Sequence, residues 1–110
     1  MSQKMIRIAK DFSRFPSGRV VADGPNSGQR FRDDLLVPAL KEFDIVEVVL
    51  DGVKGYPSSF TEEAFGGLVR IGFDKNELLS GKLNIVYSDN AYRGYADDIR
   101  HYIEDAQPSG

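Results

Sequence analysis

The chain has 110 residues, 41% of them hydrophobic, with no cysteine, one histidine, and 14 basic against 17 acidic side chains for a formal charge of -3. That is apolar material for one core and one domain, and it excludes disulfides, thiolate chemistry, Cys-based zinc sites and His-rich metal sites. The interspersed charge offers no basic stripe for a nucleic-acid backbone. No segment approaches the roughly 20 apolar residues that span a bilayer, and the start MSQKMIRIAK lacks the apolar run of a signal peptide. The expectation is a soluble, cytoplasmic protein with neither nucleic acid nor membrane as partner.

Met5 to Ala9 (MIRIA) alternates apolar and polar residues and predicts a strand with a solvated side or an edge position. Such an edge permits a homodimer, while a surface of mixed charge suits a monomer equally. After the FPSG turn at Gly18, Arg19 to Ala22 (RVVA) predicts a short second strand, with an antiparallel pairing to the first allowed. Asp23 to Gly28 (DGPNSG) is dense in turn and cap residues and implies a loop. From Gln29 to Phe43, Phe31, Leu35, Leu36, Ala39, Leu40 and Phe43 recur at helical spacing, with Pro38 predicting a bend.

Ile45 to Leu50 (IVEVVL) reads as a strand buried on both faces. Ser59-Phe60-Thr61-Glu62 fits a capping box that opens a helix running to Ile71. Gly66 and Gly67 inside that helix each cost about 1 kcal/mol relative to alanine, which predicts a close approach by a neighbouring element. Lys82 to Tyr87 (KLNIVY) supplies a further strand, and Ser88, Asp89 and Asn90 are candidate caps for a last helix. Its apolar face carries Tyr92, Tyr95, Ala96, Ile99, Tyr102 and Ile103, and residues 107–110 should fray. The order β-β-α-β-α-β-α predicts one α/β domain over residues 1–106, a mixed four-stranded sheet packed with about three helices, its later strands parallel.

Ser58 and Ser59 stand at a strand-to-helix mouth, where a hydroxyl caps the helix or meets a partner. A phosphate there would be welcomed by the helix start, but Glu62 and Glu63 in the same turn would repel it, so modification is expected to disturb the mouth. The DGPNSGQRFR segment lacks the lysine and spacing of a nucleotide-hydrolysing phosphate loop. What survives is a weaker anion site, with free amides near Ser27 and Gly28 helped by Arg30 or Arg32. Asp11, Asp23, Asp51 and Asp89 lie near strand or loop ends, where turn chemistry explains each equally well as catalysis. His101 sits on the polar face of the last helix. No nucleophile elbow, H-E-x-x-H pair or dinucleotide fingerprint is present, so the chain reads as noncatalytic, without cofactor or metal.

VVLDGVKGYPSSFTEEAFGG resembles the strand, loop and helix of STAS domains, the fold of sulfate transporters and anti-sigma factor antagonists. Together with DFS near Asp11, DGPNSGQRFR, the PAL of Pro38 to Leu40 and SSFTEEAFGGLVR, it is similar to the STAS-like family of small bacterial and phage-associated proteins from about Ile6 to Ile103. In the antagonists a serine before the second helix is phosphorylated by a kinase-like ATPase, which switches partners. That serine falls at Ser58, with Pro57 at the acidic position before it and Phe60 at the glycine position after it. The resemblance implies a regulatory module that contacts a protein partner, a histidine-kinase-like ATPase first among them, through Tyr56, Pro57, Ser58 and Ser59. The alternative is a sensor of a small anionic ligand or nucleotide at Asp23 to Arg32.

Overall fold

The structure, a computed structural model, describes residues 2–109; Met1 and Gly110, the outer ends of the expected domain and tail, lie outside them. Three strands, β1 (Gln3–Arg7), β2 (Ile45–Val49) and β3 (Leu83–Val86), form a sheet in the order β1-β2-β3. Both pairings are parallel, with Gln3 opposite Ile45 and Val46 opposite Leu83. The sheet is therefore neither mixed nor four-stranded. The missing strand is RVVA: Val21–Asp23 is a single helical turn, Val20 and Val21 are exposed, and Asp23 folds back onto the amides of Arg19 (3.0 Å) and Val20 (3.1 Å). Two adjacent valines favour a strand only where another strand supplies packing and a ladder. Here Gly18 and Gly24, both at positive φ, close the segment into a loop.

The three expected helices are present as α1 (residues 28–42), α2 (residues 58–70) and α4 (Arg93–Asp105). A further short one, α3 (Lys75–Glu77), with the turn Leu78–Lys82 behind it, takes the helical segments beyond three. In α1 the bend expected at Pro38 takes the form of a wide turn at Arg32–Leu36, which ends two residues before the proline. The helix continues through it in right-handed geometry, since a wider turn relieves the ring's clash with the preceding carbonyl. A second wide turn, Glu62–Gly66, lies inside α2.

Each strand is joined to its parallel neighbour by a crossover containing a helix, and one hand of crossover along strands 1, 2 and 3 puts the crossover helices on the same face. The burial agrees: Ile6, Val46, Val48 and Leu50 are fully covered, whereas Ile45, Glu47 and Val49 are half-buried and Met5 is 42% exposed. The strand expected to be buried on both faces is thus buried on one. Behind it lie Phe31, Leu36 and Leu40 of α1, Phe60, Phe65 and Leu68 of α2, and Ile99 and Ile103 of α4. The close approach expected at the paired glycines is present. A Cβ on Gly67 would fall on the Arg32 guanidinium of α1, and one on Gly66 would stand 3.4 Å from the Tyr102 carbonyl of α4, with Glu62 of its own helix at 2.7 Å. Gly28 plays the same part at the start of α1, where a Cβ would strike the Phe60 carbonyl of α2.

Candidate functional site

The carboxyl ends of the strands carry the loops after β1, β2 and β3, the end at which open α/β sheets bind their ligands. Asp51, just past β2, accepts from the Ser88 amide (2.9 Å), the Ser88 hydroxyl (2.8 Å) and the Asp89 amide (3.1 Å), tying the second loop to the third. Partial burial raises its pKa, but these donors outweigh it and hold the carboxylate below its usual range. Tyr92 closes the same junction, accepting from the Gly52 amide (3.2 Å) and donating to the Val53 carbonyl (2.7 Å). Tyr56, expected as a partner contact, is instead buried. Its hydroxyl donates to the Leu50 carbonyl (2.7 Å), and its ring lies edge-on to Tyr95 and Tyr92. Burial and the neighbouring Asp51 push the phenol's pKa well up, so it stays a donor.

All four aspartates at loop ends do backbone work: Asp11 accepts from Arg7 (2.8 Å), Asp23 from Arg19 and Val20, Asp51 from Ser88 and Asp89, and Asp89 from Ala91 (2.9 Å). Of the three candidate caps for the last helix, Asp89 caps only the tight turn Asn90–Tyr92 that leads into α4, and α4 itself follows Tyr92 without a side-chain cap. The capping box at Ser59 is not formed. Pro57 occupies the cap position with φ -59° and ψ 140°, and its carbonyl accepts from the Phe60 (3.0 Å) and Thr61 (3.2 Å) amides. Glu62 is diverted to arginines. Ser58, exposed, and Ser59, half-buried, sit in the first turn, and neither hydroxyl makes a hydrogen bond among the described residues.

At 23–32 the amides expected to be free are occupied. Gly28 donates to the Gly18 carbonyl (2.9 Å), Gln29 to the Arg19 carbonyl (3.0 Å), and Arg30 to the hydroxyl of the fully buried Ser27 (3.2 Å), which is the cap of α1. Arg30 reaches along its own helix to Asp34 at 3.4 Å. Arg32, 6% exposed, donates to the Glu63 carboxylate (2.6 Å), the Glu63 carbonyl (3.0 Å) and Asp33 (3.0 Å). Each of these amides and arginines thus has a partner within the chain.

Sequence reasoning missed the network to which Arg32 belongs. Arg19 meets Glu62 at 2.5 Å and Glu63 at 3.4 Å, and Arg70 meets Glu62 at 2.8 Å and Glu63 at 3.6 Å. Three arginines thus pair with the two glutamates in the first turns of α2, which offsets the charge expected to repel a phosphate at Ser58. The signal available was Arg32 itself, four residues before Leu36 on the apolar stripe of α1. Hydrogen bonds from Arg70, and then Arg19, outweigh burial and hold the Glu62 carboxyl below its usual value of 4.5. The same bonds raise Arg70 and Arg19 above their ordinary range. A depressed carboxyl contributes stability above its unfolded pKa and loses it as the pH falls through the folded one. The melting temperature should hold down to about pH 4.5 and drop below it, and Glu62→Gln should lower it at about pH 7 while flattening the acid limb. Circular-dichroism melts of both proteins over that range check this, and parallel acid limbs would contradict it.

A family described as a STAS-like domain of unknown function matches residues 27–92, more than half of the chain. The chain belongs to this STAS-like family. The matched part of the STAS-like domain runs from the buried cap Ser27 to the junction residue Tyr92, and so contains β2, β3, α1, α2 and the serine mouth. No curated protein and no solved structure matches the chain. Among the described residues, no helix of the STAS-like domain is long and apolar enough to cross a membrane.

Proposed function

We propose that this STAS-like domain is a noncatalytic regulatory module that docks a protein partner at residues 55–63, with Pro57 and Ser58 as its exposed contacts. The observation that carries the reading is that the Ser58 side chain contributes nothing to the fold. It is exposed, caps nothing, and starts a helix anchored below by Phe60 and Thr61. A hydroxyl held so on a rigid element suits recognition or modification. The surroundings indicate the partner's chemistry. Phe15 is 63% exposed and lines a cleft with Arg14 and Lys54, while Lys10 lines the adjoining one. Lys10, Arg14 and Lys54 enter no ion pair among the described residues, so an acidic partner surface with an apolar anchor complements this end. The resemblance to anti-sigma factor antagonists makes a histidine-kinase-like ATPase the partner to test first.

Affinity capture from the native lysate with ATP present tests the reading. The wild type should retain a specific regulator that the Ser58→Ala/Ser59→Ala double variant loses. Equal recovery by both proteins would remove the serine mouth from the interaction.

A further inference from the structure

The two edges of the sheet are not alike. β1 carries Lys4 and Arg7, exposed charges of the kind that keep an edge strand from pairing with another chain. β3 and the residue after it, Leu83-Asn84-Ile85-Val86-Tyr87, carry no charge and no proline. The Val86 carbonyl accepts from the Leu50 amide (2.9 Å), so Val86 and Asn84 point their backbones at β2. By the alternation of a strand, Ile85 and Tyr87 point theirs outward. Neither of those outward amides has a partner among the described residues.

Beside this edge a groove of about 340 Å³ runs between β3 and α4, lined by Leu79, Leu83, Ile85, Tyr87, Ile99 and Ile103. Its rim carries half-buried Asp97 and exposed Arg100, one charge of each sign, only 3.8 Å apart. A rim with one cation and one anion complements itself under a two-fold rotation, which brings Arg100 of each copy to Asp97 of the other. The edge expected to permit a homodimer was Met5 to Ala9, but the unguarded edge is the opposite one.

We propose that β3 is the edge through which two copies of this chain associate. The strands pair antiparallel about an axis at Ile85, so that Ile85 faces its own counterpart and Leu83 faces Tyr87. The two sheets join into one, the two grooves close against each other, and the outward backbone groups of Ile85 and Tyr87 find partners. Such a contact is isologous and ends at the dimer. It leaves residues 55–63 outside the interface, and so stands or falls separately from the serine mouth.

Sedimentation equilibrium of the full chain over a concentration series tests this, with a mass of twice 12.2 kDa expected at the upper end. Ile85→Lys places a charge on the axis and should give a monomer at every concentration that still melts cooperatively. Because that residue is half-buried, a second set of variants leaves the fold untouched. Arg100→Glu should raise the dissociation constant about tenfold, and Asp97→Arg/Arg100→Glu, which restores opposite signs across the axis, should bring it back to within about threefold of the wild type. A monomer at every concentration, or a dimer whose dissociation constant ignores the charge reversal or is not rescued by the double swap, overturns the proposal.

Discussion

Arg32→Ala should destabilise the protein by about 3 kcal/mol or more, because it removes the one buried cation of the joint between α1 and α2. A buried ion pair broken on one side costs about 3–5 kcal/mol, most of it the penalty on the charge left behind. Here Glu63 would keep Arg19 at 3.4 Å and Arg70 at 3.6 Å, which puts the loss at the lower end of that range. It would also lose its strongest donor, while a void opens beside Gly67. Replacing both partners with apolar residues of similar size, Arg32→Met/Glu63→Leu, should recover most of the loss, since no buried charge is then orphaned. Urea denaturation midpoints of the three proteins decide it. A loss under about 1 kcal/mol for the single variant would mean that the network is ornamental to stability.

Phe60→Ala should be at least as damaging, with a loss of about 3–5 kcal/mol. The ring is fully buried and lies 5.8 Å from Phe31, 6.1 Å from Phe12 and 6.3 Å from Tyr56, so it touches the loop after β1, helix α1 and the connection after β2 at once. No single element can collapse into the space, because each is fixed elsewhere: α1 by Gly28 against the Phe60 carbonyl, Tyr56 by its bond to Leu50. With total stabilities of about 5–15 kcal/mol typical of such domains, the variant would be marginal. Phe60→Leu, which keeps most of the volume, should cost far less; equal losses for the two variants in the same denaturation assay would refute the cavity argument.

What could be read in advance was what short-range periodicity encodes. The apolar spacing of Phe31, Leu36 and Leu40 located α1, the pattern from Ser59 to Ile71 located α2 to within two or three residues, and the KLNIVY run located β3. The glycine pair was legible because its cost demanded a neighbour, although not which one. What could not be read depended on partners distant in sequence. RVVA has strand composition but no strand beside it. The S-x-x-E pattern at Ser59 is a local signal, overridden when Pro57 took the cap and Arg70 and Arg19 took Glu62. Nor was it legible that the Gly28 and Gln29 amides are taken by the carbonyls of Gly18 and Arg19. Even the strand's two-sided burial failed for a topological reason: only the full strand order reveals that all crossovers fall on one face.

Among the described residues the sheet contains no hairpin, and this bears on how the chain assembles. Gln3 finds Ile45 across 45 - 3 = 42 residues, and Val46 finds Leu83 across 83 - 46 = 37. Sheets built only from such distant pairings form slowly, since each ladder must wait for a long segment to be closed before any contact rewards it. During synthesis the first strand is therefore made well before the second strand it pairs with. For that interval its protection rests on Lys4 and Arg7, the charges that also guard it in the finished fold, whereas the unguarded third strand is made last, when its pairing partner already stands ready.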